Sequence, residues 1–197
     1  CIGLVSATLG EREVVRLVRS LRGPEGLSPV VVLAGRSDEP IVTAAMAAFA
    51  HAENGDAAYA EALGREALRR NPACPMGVHA VAHAIAETGR NHLGAQWMRE
   101  QVAQWAGESR MRSHNAWHLA MFDADDGNVE SALGILDAWL LPASAHSPLD
   151  ACDAAALMWR LAHDGVADGG RWRRISEAFA TTWSAGFWPY VDLHAAI

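Results

Sequence analysis

Residues 55–72 read GDAAYAEALGREALRRNP, and this stretch decides the fold. A glycine opens it, where a chain leaving one helix needs a left-handed residue. Ala60 and Ala67 follow five and twelve residues later, where two helices must approach closely, and Pro72 stands where the second must stop. The turn recurs. Glu53-Asn54-Gly55-Asp56, Glu87-Thr88-Gly89-Arg90 and Asp125-Asp126-Gly127-Asn128 each close one apolar helical pattern and open another. Gly55 and Gly89 stand 34 residues apart, Gly89 and Gly127 stand 38 apart. After Gly89 the close-contact position holds Gly94, and after Gly127 it holds Ala132.

A helix–turn–helix period of about 34 residues is that of the tetratricopeptide repeat, whose units bury their apolar faces only by stacking. The expected fold is therefore all-α: a tetratricopeptide-like superhelix of antiparallel helix pairs with capping helices at the C-terminal end. Helices are predicted at 40–54, 57–70, 75–88, 91–105, 113–125 and 128–141. Pro75 suits a first helical position and Ser113 an N-cap. Beyond Pro142 the repeat fades. Ser147-Pro148-Leu149-Asp150 opens a helix to about residue 164, Asp168 caps another through Thr182, and Pro189 starts a last one. Upstream, Thr8-Leu9-Gly10-Glu11 resembles one more turn before an amphipathic helix near 11–22. Ile2, Leu4 and Val5 read as a helix already under way, and the β-branched stretch from Pro29 to Leu33 as an extended connector. The parts are thus a partial repeat and connector over 1–38, three helix pairs over 39–142, and capping helices over 143–197. The chain starts at Cys1 without a methionine and stops at Ile197 within an apolar pattern, so it reads as part of a longer repeat protein.

Composition narrows the partners. Sixteen Lys and Arg face twenty-three Asp and Glu, a formal net charge of −7, which argues against nucleic acid. No apolar run reaches the ~18 residues of a membrane span, so no membrane partner is expected. Cys1, Cys74 and Cys152 form an odd set without metal-type spacing. That argues against a disulfide framework and for a reducing, cytoplasmic setting.

Four of the nine histidines fall in two pairs, His79/His83 and His114/His118, each spaced so that both rings leave one face of a helix. Both pairs sit on the first helix of a repeat, and in such an array the first helices stand side by side. At ~8–10 Å between axes, four imidazoles converge on one shared cavity. Two such pairs supply neutral nitrogen ligands for a divalent transition metal, zinc, copper, nickel or iron. Glu87 continues the first stripe; at ~12 Å from His79 along the helix it shares an ion with His83 more readily than with both. The pair is no metalloprotease motif, because Ala80 stands where the catalytic glutamate belongs. The plainer reading is a polar pocket without metal, in which these rings bond each other, backbone or a ligand. Among eight tryptophans, Trp97, Trp105, Trp139, Trp159 and Trp172 fit core stripes, whereas Trp117 lies between His114 and His118 and packs behind or beside the pocket. Ser113-His114 gives no sign of a nucleophile, and no glycine-rich phosphate loop is present.

Together these strings resemble the family of tetratricopeptide repeat protein thirty-eight. The resemblance runs through Glu66-Ala67-Leu68, Asn71-Pro72, Val78-His79-Ala80-Val81-Ala82-His83 and His114-Asn115-Ala116-Trp117-His118-Leu119-Ala120. It continues in Leu149-Asp150, Asp153, Arg160-Leu161, Gly165-Val166, Gly169, Arg171-Trp172 and Asp192-Leu193-His194-Ala195. Order and spacing hold from about residue 40 to the end. Ser113 stands where the family often has cysteine, Ala116 replaces an aromatic, and residues 23–38 match poorly. The resemblance implies a helical solenoid with a polar constellation of His79, His83, His114, His118, Asp153, Arg160, Asp192 and His194, and no established reaction.

Two functions of different class remain. One is an enzyme or binding protein for a small molecule, its histidines serving as metal ligands or acid–base groups. The other is a scaffold holding a peptide or protein partner along its concave groove. The crowding of histidines favours the first. The C-terminal helices are expected to fold back and carry Asp192 and His194 toward the paired histidines.

Overall fold

The computed structural model describes residues 3–6, 30–33, 40–107, 111–183 and 188–197. These fall into two compact units, Cys1–Gly107 and Glu108–Ile197. Both are helical.

The first unit opens with two short strands, β1 (Gly3–Ser6) and β2 (Val30–Leu33), paired in parallel with Gly3 opposite Val30 and Ser6 opposite Leu33. Here the structure corrects the sequence reading twice. Leu4 and Val5 lie in a strand rather than a helix, and the supposed connector is that strand's partner. The reason is nonlocal: pairing gives each segment the backbone hydrogen bonds that neither supplies alone, and the valines of β2 favour extended backbone. Ile2, the turn at 8–11 and the helix at 11–22 lie outside the described residues.

Helices follow at α1 (Pro40–Glu53), α2 (Ala57–Arg70) and α3 (Pro75–Glu87), each packed against the other two. Small residues let them meet. Ala52, Ala60 and Ala84 form one buried cluster, and Ala45, Ala67 and Cys74 another. The predicted helix at 91–105 is broken into α4 (Asn91–Glu100) and α5 (Val102–Trp105). The buried Trp105 explains the break, because its indole N–H donates to the Met98 carbonyl at 2.9 Å, taking the acceptor that Val102 would use in an unbroken helix.

The second unit contains α6 (Arg112–Asp125), α7 (Val129–Ile135), a π turn at Leu136–Leu140, α8 (Leu141–Ser144), α9 (Pro148–His163), α10 (Gly169–Thr182) and α11 (Pro189–Ala195). Pro142 explains the π turn: proline has no N–H for the preceding turn and its ring crowds the carbonyl four residues back, so the helix widens before it. Caps at Ser147 and Asp168 fall where the sequence places them, accepting from Asp150 N–H and from Gly170 and Arg171 N–H respectively. Ser113 does not cap. The helix already begins at Arg112, and the Ser113 hydroxyl instead donates to the Asp150 carboxylate of α9. α9 is the hub of this unit, with α6, α8, α10 and α11 all against it. Trp159, expected in the core, is 52% exposed on α9 and meets His163 edge-on.

Positive φ marks the turn glycines Gly55, Gly89 and Gly127, and a fourth, Gly165, at 89°. Gly165 lies 38 residues after Gly127, so the series continues into the segment where the repeat pattern fades. No described helix is long and apolar enough to cross a membrane.

Candidate histidine site

In the first unit, His79 and His83 stand one turn apart on α3 with ring centroids 4.5 Å apart and Nε2 atoms at 3.1 Å. His79 is buried and His83 half-buried. The other nitrogen of His83, Nδ1, lies 2.9 Å from the Glu53 carboxylate, at the last residue of α1. That hydrogen bond from His83 holds the Glu53 carboxyl below its ordinary range, against the opposing effect of burial. With Nδ1–H donated to Glu53, the neutral ring of His83 directs a lone pair from Nε2 toward His79. Phe49, one turn before Glu53 on α1, touches both rings at centroid distances of 4.8 Å.

The second unit repeats the design. His114 and His118 are one turn apart on α6, with ring centroids 4.9 Å apart. His114 Nδ1 lies 2.8 Å from the carboxylate of Asp153, a buried residue of α9. Trp117 stacks on His114 at 5.3 Å with planes 13° apart, and meets His118 edge-on at 4.8 Å. Each pair thus has one carboxylate on an Nδ1 and one aromatic ring against both imidazoles. The packing of α6 on α9 supplies this: Asp150 and Asp153, one turn apart, take Ser113 and His114 respectively.

The remaining predicted residues have other surroundings. Glu87 is exposed at the end of α3, and the carboxylate on His83 comes from Glu53. Arg160 pairs with Asp125 at 3.0 Å and with Asp164 at 3.2 Å, so it belongs to the far end of α6 and α9 from His114 and Asp153. α11 does fold back onto α9, where Asp153 and Cys152 lie near enough to Tyr190 for their charges to add to burial in raising its phenol pKa. Asp192 is half-buried on this helix. His194 is engaged locally: its Nδ1 donates to the Tyr190 carbonyl at 2.8 Å. Its ring lines a separate cavity of about 310 Å³ with Trp172, Ile175, Ser176 and Phe179 of α10.

Glu53, Phe49 and the buttressing role of Trp117 are what sequence reasoning missed. The available signal was Phe49 and Glu53 themselves, one turn apart on the helix preceding the first histidine pair.

No family model matches the chain, and no solved structure matches it. The chemistry of the site must carry the reading. Two imidazole nitrogens at 3.1 Å need something between them, either a shared proton or a cation. Tetrahedral zinc–imidazole bonds of ~2.0–2.1 Å put neighbouring ligand nitrogens about 3.3 Å apart, close to the observed separation. A carboxylate on the remote nitrogen is the usual outer-shell partner of a metal-bound histidine, fixing its tautomer and raising its basicity.

Proposed function

We propose that this chain is a metal-binding helical-repeat protein of the tetratricopeptide type. His79, His83, His114 and His118 together hold one divalent transition metal ion, and that ion anchors a small-molecule ligand. The observation that carries the reading is the pair of clamps, Glu53 on His83 and Asp153 on His114, each leaving Nε2 to bind. A further support is that the four residues offer ligand nitrogens within 4.8 Å of one another. The donors are all imidazoles, which suits zinc, copper, nickel or iron rather than the oxygen-seeking calcium or magnesium. The turn glycines at their 34- and 38-residue spacing support the repeat, and the paired-histidine strings support kinship with the tetratricopeptide repeat protein thirty-eight family.

Metal analysis of protein purified without a histidine tag is the test, together with His83→Ala and His118→Ala. The expected result is one ion per chain in the parent, loss of the ion in both variants, and unchanged helical circular dichroism. A scaffold for peptides predicts instead no metal and tight binding of an extended peptide insensitive to either substitution. Unfolding of both variants with no metal in the parent shows the rings to be structural hydrogen-bond partners and overturns the proposal.

A further inference from the structure

Phe49 and Trp117 stand in matching places, each against both imidazoles of its pair, but they differ in one atom. Phe49 ends in carbon. Trp117 carries an indole N–H whose nitrogen is buried and has no hydrogen-bond partner among the described residues. A buried donor left unmade is costly, roughly 1–3 kcal/mol, and such groups call for an explanation specific to the site. Buttressing does not explain it, since phenylalanine performs that role in the other pair.

The indole plane lies 13° from that of His114, so the N–H, which lies in its own ring plane, runs alongside the imidazole rather than into its face. It is a donor without acceptor capacity, so what it binds presents a lone pair. Next to a bound divalent cation the favoured acceptor is anionic oxygen, which the cation's charge attracts and the N–H orients. We propose that the site takes a small carboxylate, one oxygen toward the metal and the other accepting from Trp117 Nε1–H. This rests on the metal reading above, and it makes Trp117 a ligand-binding and specificity-determining residue rather than a packing one.

The experiment uses the cobalt(II)-loaded chain with acetate as probe, followed by the visible absorption of the metal. Acetate is expected to shift the cobalt bands of the parent. Trp117→Phe, which copies the Phe49 arrangement, should keep one cobalt per chain and bind acetate about tenfold more weakly, the loss of one hydrogen bond to a charged group. In zinc-loaded parent protein the Trp117 indole N–H resonance should move on acetate addition. Equal acetate affinity in parent and Trp117→Phe overturns the proposal while leaving the metal site intact. So does a cobalt spectrum blind to acetate, which means the indole meets only water. If Trp117→Phe fails to load cobalt, the indole resonance of the parent decides, and an unmoved signal overturns the proposal. A parent that binds no metal defeats the metal reading and this one with it.

Discussion

Glu53 and His83 meet at 2.9 Å across two helices, the carboxylate of one closing on Nδ1 of the other at the C-terminal end of α1. The contact fixes the tautomer of His83, because a carboxylate accepts and so the proton must sit on Nδ1. Asp153 does the same for His114. Glu53→Gln and Asp153→Asn each keep the shape and remove the charge. Each is expected to weaken metal binding about 10–100-fold, measured by competition with a chelator, without loss of helix. Unchanged affinity in both would show that the clamps have no bearing on the ion.

The same contact gives a pH dependence. The folded Glu53 carboxyl titrates below its unfolded value, first because His83 donates to it and despite the burial that opposes this. A depressed carboxyl contributes stability that is present above the unfolded value, near 4.3, and lost as pH falls through the folded one. The stability gap between the metal-free parent and Glu53→Gln should therefore hold from neutrality to about pH 5 and close below about pH 4. Urea midpoints across that range are the measurement. A gap that widens in acid would refute the assignment.

Much of this was legible locally. Pro75, Pro148 and Asp168 announce helix starts through their own backbone chemistry, and Gly55, Gly89 and Gly127 announce helix ends through φ. The histidine pairs were legible because i,i+4 spacing is a local fact. What stayed hidden depends on neighbours. Glu87 shares a helix with His83 and invited the role that Glu53 holds from α1. Ser113 has the chemistry of a cap, but a carboxylate on α9 takes its hydroxyl. Leu4 and Val5 are apolar in either conformation, and only a partner 26 or so residues away, Val31 and Val32, makes them a strand.

Cys152 is fully buried, and its thiol is pushed up to about 12, mainly by burial and then by the neighbouring Asp153 charge. At pH 8 only about one thiol in ten thousand is then thiolate, the reactive form. Iodoacetamide should leave Cys152 unlabelled in the native protein and label it fully in urea, as read by peptide mass spectrometry. Rapid labelling of the folded chain would show that α9 opens far more readily than its packing allows.

The closest approach of α2 and α3 falls at Gly64 and sets the last test. A Cβ added there would lie 2.7 Å from Val81 Cγ2 and 3.4 Å from the Gly77 carbonyl oxygen. Two effects of Gly64→Ala oppose one another. Alanine favours an interior helical position over glycine by about 1 kcal/mol, whereas overpacking a tight core costs roughly 1–3 kcal/mol. Val81 decides the balance, because it is fully buried and its β-branched side chain has one good rotamer on a helix. The clash should win, leaving Gly64→Ala about 1 kcal/mol less stable, a fall in Tm of ~2–4 °C for a chain of this size. Val81→Ala alone should cost about 2 kcal/mol in lost burial and cavity. In that background the clash is gone, and Gly64→Ala should become stabilising by about 1 kcal/mol as its propensity is realised and its methyl fills vacated space. The double-mutant cycle then shows a coupling near 2 kcal/mol, well above the additivity of unrelated sites. Additive effects would mean that α2 and α3 are not held together through this contact.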